Sequence, residues 1–211
     1  MQRRTVTIGA LDLEATLNVP AKALGLVLFA HGSGSSRFSQ RNARVALALN
    51  GRGFATLLLD LLTTEEAASR GNVFDIALLG RRVADAVAWV RGEPSIGDLP
   101  IGLFGASTGA AAALVAAAFE PSGIGAIVSR GGRPDLAGGC LAEVRAPTLL
   151  IVGGADHDVI GLNREALDML RCVKELTIVP GATHLFEEPG ALDEVIGLAC
   201  AWFERHLGRQ A

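Results

Sequence analysis

Ile101-Gly102-Leu103-Phe104-Gly105-Ala106-Ser107-Thr108-Gly109-Ala110 decides the reading of this chain. Its first four residues form a short β-like run and an alanine-rich helical run continues to Phe119, so Gly105 to Gly109 spell G-x-S-x-G at a strand-to-helix junction. A serine at the tip of so tight a turn takes a strained backbone conformation, and small neighbours let the chain pass. Its hydroxyl then projects from the sheet edge at the positive end of a helix. Glycine-rich chains produce the pentapeptide by chance, so its meaning depends on what surrounds it.

Working outward, further β-like runs cover residues 5–8, 14–19, 24–30, 55–59, 124–129, 148–152 and 175–179. From residue 24 onward, helical patterns at 42–50, 74–90, 108–119, 162–170 and 191–206 alternate with them, apart from one loop-rich connection. Alternation of this kind predicts an α/β chain with a mostly parallel eight-stranded sheet and helices on both faces. Runs such as Leu26-Val27-Leu28-Phe29 and Leu149-Leu150-Ile151-Val152 lack period-two alternation, as strands covered on both sides do. The first two runs, more polar and joined near Ala10, predict an antiparallel edge hairpin. No linker or repeat divides the chain, which is expected to form a single domain over residues 1–211. The loop-rich connection at 130–146 is too short for a cap domain, so an open cleft is expected.

Composition narrows the function classes. With 211 residues, half of them hydrophobic and 19% charged, the chain can bury a core without disulfides or metals. A net charge of −3 gives no basic field for nucleic acid. Met1-Gln2-Arg3-Arg4 is not followed by the apolar region of a signal peptide, and the uncharged stretch 101–119 is broken by Gly102, Gly105, Ser107, Thr108 and Gly109. A cytoplasmic protein that does not enter the membrane is expected. Cys140, Cys172 and Cys200 stand in no metal or redox spacing and read as reduced structural thiols.

Ser107 needs a base, because a serine hydroxyl is a weak nucleophile near neutral pH. Of the four histidines, His184 follows the last strand-like run in Gly181-Ala182-Thr183-His184-Leu185-Phe186, where a loop at the carboxyl end of the sheet reaches the elbow. His206 lies in the terminal helix, His157 between two aspartates, and His31 at the end of the third strand. The acid belongs after the preceding strand, where Gly153-Gly154-Ala155-Asp156-His157-Asp158 offers two candidates. Asp156 comes first on the turn and is favoured; Asp158 is the alternative, or a cap for the helix near Leu162. Its role is to hold the imidazole in one tautomer and to stabilise the imidazolium. Donors for a tetrahedral oxyanion are expected from the amides of Thr108 and of Ser33, in His31-Gly32-Ser33-Gly34-Ser35-Ser36, with Gly34 the alternative to Ser33. The same loop lacks the third glycine of a dinucleotide fingerprint, and neither a phosphate-binding G-x-x-x-x-G-K-[ST] nor a metal motif occurs. No metal and no cofactor is expected.

Ser107, Asp156 and His184, in that order and with the His31-Gly32 loop, resemble the α/β-hydrolase superfamily over nearly the whole chain. Within it the chain is similar to small bacterial dienelactone hydrolase-like proteins, some of which occur joined to phosphoribosyltransferase domains. The resemblance implies an α/β-hydrolase fold, a small-molecule acyl substrate and a functional link to a phosphoribosyltransferase. Dienelactone hydrolases proper use a cysteine nucleophile, whereas this elbow offers Ser107, so the chemistry resembles that of carboxylesterases and thioesterases: hydrolysis of a small ester, thioester or lactone. Rival readings are a binding protein that keeps the scaffold, or a triad enzyme for C–C hydrolysis or perhydrolysis.

Four arginines flank the expected cleft: Arg37 and Arg41 after the oxyanion loop, Arg130 and Arg133 after the sixth strand. They are expected either to bind a substrate carboxylate or phosphate or to pair with local acids such as Asp135. The helix at 191–206 packs on the core, and its outer face is the candidate surface for a homodimer.

Overall fold

A strand without a polar face needs cover on both sides, and the computed structural model, which describes residues 1–208, supplies it. The strands are β1 (Gln2–Ile8), β2 (Leu13–Val19), β3 (Gly25–Ala30), β4 (Phe54–Leu59), β5 (Ile101–Ala106), β6 (Ala126–Arg130), β7 (Thr148–Gly153) and β8 (Lys174–Val179). They form one sheet in the order β1-β2-β4-β3-β5-β6-β7-β8. β1 pairs antiparallel with β2 and β2 with β4, while the other neighbours are parallel. The helices are α1 (Gln40–Gly51), α2 (Thr64–Ala67), α3 (Arg70–Val73), α4 (Ile76–Gly92), α5 (Thr108–Phe119), α6 (His157–Met169) and α7 (Ala191–Leu207), with a 3₁₀ segment at Pro134–Glu143. This is the α/β-hydrolase arrangement, and no cap domain is inserted among the described residues.

Alternation survives inside the continuous apolar runs as a choice of core. Leu26, Leu28 and Ala30 enter one cluster with α4, α5 and the 3₁₀ segment, while Val27 and Phe29 enter the other with α1 and α7. α5 is buried from Thr108 through Ala117, as expected of a helix apolar all round.

Several expected boundaries move. The helix expected at 74–90 starts at Ile76, because the Asp75 side chain accepts from the Leu78 amide as N-cap, and two short helices precede it. α6 starts at His157 rather than near Leu162, with Asp156 as its first flanking residue. The exposed side of α7 carries Asp193, Glu194, Glu204 and Arg205. Among the described residues no helix is long and apolar enough to cross a membrane.

Candidate active site

Parallel strands deliver their following loops to one edge of the sheet, and the elbow stands at the middle of that edge after β5. Ser107 has φ +52°, a conformation that L residues avoid, and its hydroxyl does not cap the helix it precedes. The flanking glycines are required for space: a Cβ at Gly105 would lie 2.4 Å from Ala110 Cα, and one at Gly109 would lie 2.2 Å from the carbonyl oxygen of Ala30. The Ser107 amide donates to Arg130 O at 3.3 Å, and the Arg133 amide donates to Ser107 O at 3.1 Å, so β6 and its loop clamp the turn.

His184 and Asp156 meet through loops after β8 and β7, with His184 Nδ1 2.7 Å from Asp156 Oδ2. That loop pair is fastened by the backbone, as the Gly154 amide donates to Val179 O at 2.8 Å and the Ala155 amide to Ala182 O at 2.9 Å. Asp156 makes no side-chain cap to α6; its carboxylate is turned to the imidazole instead. Asp158 is exposed in the first turn of α6. The His184 loop is anchored by Phe186, buried in the core at φ +55°, and by Glu188, which accepts from the Thr183 hydroxyl at 2.6 Å and the Thr183 amide at 3.1 Å. The Thr183 hydroxyl bond, foremost, holds the Glu188 carboxyl below its ordinary value. Phe186 was visible as part of Gly-x-x-His-x-Phe; Glu188 carried no sequence signal.

Gly131 measures the distance between elbow and base loop. It follows Arg130, which accepts from the Ser107 amide, and a Cβ on it would meet His184 O at 2.9 Å and His184 Nδ1 at 3.7 Å. Among the described residues the hydrogen-bonded chain ends at His184 without a bond on to Ser107 Oγ. In unliganded sites that contact commonly tightens only when substrate binds.

On the other flank, the loop after β3, His31 to Ser36, lies against the elbow, where Gly32 has room for no side chain. The Ser33 amide donates to Thr108 Oγ1 at 3.0 Å, so it is engaged until that hydroxyl turns aside. His31 reaches further than its own loop: Nδ1 lies 2.9 Å from Gly32 O, and Nε2 accepts from the Leu61 amide at 3.1 Å. An acceptor at Nε2 fixes the neutral Nδ1–H tautomer, and burial pushes the His31 pKa down. His31 thus ties the end of β3 to the end of β4.

The structure sorts the four arginines. Arg37 binds Asp60 through its backbone amide and its guanidinium, and also Glu14 at 2.7 Å. Partial burial opposes its charge, but Asp60 and Glu14 outweigh this and raise its pKa. Arg41 pairs with Glu187 at 3.0 Å, and Arg133 holds Asp135 through two bonds of 2.9 and 2.8 Å. All three therefore show the second of the two expected arrangements, a pairing with acids inside the protein. Arg130 differs, being 6% exposed, without a carboxylate partner among the described residues, and with its Nε unbonded. Burial pushes its guanidinium down to about 10, with the like charge of Arg41 adding to the fall, so it stays charged at neutral pH. Among the described residues no three His, Cys, Asp or Glu side chains gather as a metal would require.

Comparison with known proteins bears on the fold and the family. No family model matches the sequence. Proteins of two Mycobacterium tuberculosis strains, provisionally named phosphoribosyl transferase, are 57% identical over 202 residues, which is 96% of this chain and 46% of theirs. The chain thus spans about half the length of the curated relatives it matches. The esterase domain of a Rhodothermus marinus protein shares the fold, with a TM-score of 0.77 at 20% identity over 99% of this chain and 100% of that one. The crystal structure of a dienelactone hydrolase from Anabaena variabilis superposes with a TM-score of 0.95 at 52% identity over 99% of each chain. Likeness of that extent in sequence and structure together means that this chain belongs to the dienelactone hydrolase-like α/β hydrolases.

Proposed function

We propose that the protein is a serine hydrolase that cleaves a small ester, thioester or lactone through an acyl-enzyme. The observation that carries this reading is a strained serine, φ +52°, on an edge where a histidine is already held by a carboxylate at 2.7 Å. Ser107 Oγ bonds to the acyl carbon while its proton passes to His184 Nε2. The bond to the leaving oxygen or sulfur then breaks, and that atom takes the proton from the imidazole. Water repeats the sequence: it attacks the acyl carbon, gives a proton to His184, and Ser107 leaves with that proton as the acid is released. Asp156 keeps Nδ1 protonated and stabilises the imidazolium between transfers.

The oxyanion is met by the amide of Thr108, at the N-terminus of α5, and by that of Ser33 once the Thr108 hydroxyl turns from it. Removing one such donor typically costs about a hundred- to a thousandfold in kcat, which sets the scale of the contribution. The expected anion contact rests on Arg130, whose buried guanidinium has no carboxylate partner among the described residues. A functional link to a phosphoribosyltransferase is supported by the name of the M. tuberculosis relatives and by their longer chains. A cytoplasmic location remains part of the proposal.

Ser107→Ala is expected to abolish p-nitrophenyl ester turnover and fluorophosphonate labelling while leaving thermal unfolding nearly unchanged. Turnover close to wild type in that variant would refute the assignment.

A further inference from the structure

Ser107 divides the cleft into two unlike flanks. Asp156 and His184 approach from β7 and β8 on one side, and a cavity opens on the other, over the ends of β3 and β4. The cavity has a volume of about 480 Å³, with Gly32, Ser33 and Thr108 at the elbow end and Leu61, Leu62, Ala67, Val73 and Leu79 among its walls. Ser107, His184 and Asp156 do not line it, but Thr108, the residue after Ser107, does.

Acyl transfer imposes an order on these flanks. The leaving atom takes its proton from the imidazole, so the leaving group lies on the His184 side. The carbonyl oxygen turns to the oxyanion donors. The remaining substituent on the reacting carbon, the acyl chain, diverges from both, and the cavity that begins at Thr108 and Ser33 is the enclosed space beside the elbow open to it.

The walls define what fits there. Leu61 and Leu79 are 0% and 3% exposed and present a fixed apolar floor. The segment carrying Ala67 and Val73 is fastened: Thr63 and Glu66 close a capping box, Glu66 pairs with Arg82 at 2.9 Å, and Asn72 donates to Glu66 O at 3.0 Å. The charged lining residues are Glu14, Asp60 and Arg37, two negative and one positive, with Arg37 bound to both acids. His31 is held neutral by its bond from Leu61. A carboxylate on the acyl chain would meet one uncompensated negative charge and no free cation. On the leaving side, Leu185 and the His184 side chain are 40% and 38% exposed, which leaves that flank open.

We propose that the cavity between the oxyanion loop and the α2–α3 segment is the acyl pocket, so that the enzyme selects an uncharged, apolar acyl chain and tolerates varied leaving groups. This deepens the hydrolase reading and rests on it.

The test compares two ester series on the wild-type protein. In p-nitrophenyl esters from acetate to decanoate, kcat/KM rises about fourfold per buried methylene until the cavity is full, then falls. In phenyl, 4-phenylphenyl and 2-naphthyl hexanoates, whose phenols have similar acidity, it varies by less than about threefold, because an unwalled flank buries little of the leaving group. A p-nitrophenyl monosuccinate is hydrolysed roughly tenfold or more slowly than the butanoate, from the like charge in the pocket. Ala67 is exposed, so Ala67→Trp folds, and it reaches into the cavity; with Val73→Trp as a second variant, each lowers the hexanoate-to-acetate ratio roughly tenfold. A flat acyl series with a steep leaving-group series, or an unchanged ratio in both variants, overturns the pocket while the hydrolase reading stands. No turnover of any ester together with no fluorophosphonate labelling of Ser107 removes both.

Discussion

Gly32→Ala tests whether the loop after β3 is what holds Ser107 in register. A Cβ at position 32 would lie 2.8 Å from Ser107 Cβ, 3.0 Å from Ala106 O and 3.6 Å from Ser107 Oγ. Carbon atoms rest about 3.5–4.0 Å apart, so loop and elbow must separate by about 0.7–1.2 Å. Neither side gives easily, since the elbow is clamped by Arg130 and Arg133 and the loop by the bonds of His31. A misplacement of about 1 Å in a reacting group costs about a hundredfold in rate, while overpacking costs about 1–3 kcal/mol of stability. For a chain of this size that corresponds to a fall in Tm of about 2–12 °C. Gly34→Ala is the control: nothing lies within 4 Å of its Cβ, but φ is +70°. It is expected to lose about 1–2 kcal/mol from strain alone. Steady-state p-nitrophenyl ester kinetics and thermal unfolding on both variants should show a roughly hundredfold loss of kcat in Gly32→Ala only. Equal kcat losses in the two variants, or a wild-type kcat in Gly32→Ala, would refute the reasoning.

The remaining predictions concern charge. Asp156→Asn removes the partner that fixes the His184 tautomer and so slows kcat by about 10⁴-fold, with Tm nearly kept. Asp158→Asn, exposed at the start of α6, changes stability by about 0.3–1 kcal/mol and leaves kcat alone; a reversed pattern would move the acid to Asp158. Arg130→Ala, with Arg130→Lys as the milder variant, should raise KM for anionic esters far more than for neutral ones, and an equal effect on both disposes of the anion contact. Because burial lowers the pKa of His31 below 6.5, folding stability held above that pH is lost as the pH falls through the lowered value. Denaturant unfolding of wild type and His31→Gln between pH 7.5 and 5 should show a shallower decline in the variant, and parallel curves would exclude His31 as a source.

Much of the architecture is legible in the residues because its causes are local. Unbroken apolar runs such as Leu26-Val27-Leu28-Phe29 have no polar face to turn to water, which requires a strand covered twice and hence a parallel sheet between helices. The spacing Gly105-x-Ser107-x-Gly109 leaves only one way past Ala30 and Ala110. Boundaries were less legible where a cap decides them: Asp75 starts α4 later than periodicity suggests.

What only tertiary structure decided was which charges meet and which side of the elbow is hollow. Arg37 with Glu14 and Asp60, and Arg41 with Glu187, join residues 23 to 146 positions apart, so nothing near an arginine in sequence tells whether its charge is matched. Arg130 reads the same as its neighbours until burial leaves it without a carboxylate. The engagement of the Ser33 amide by Thr108, 75 residues away, and the pocket between two loops likewise arise from packing. Backbone path follows from the hydrophobicity and size of adjacent residues; pairing and enclosure follow from distance in space, which the chain sets only once it has folded.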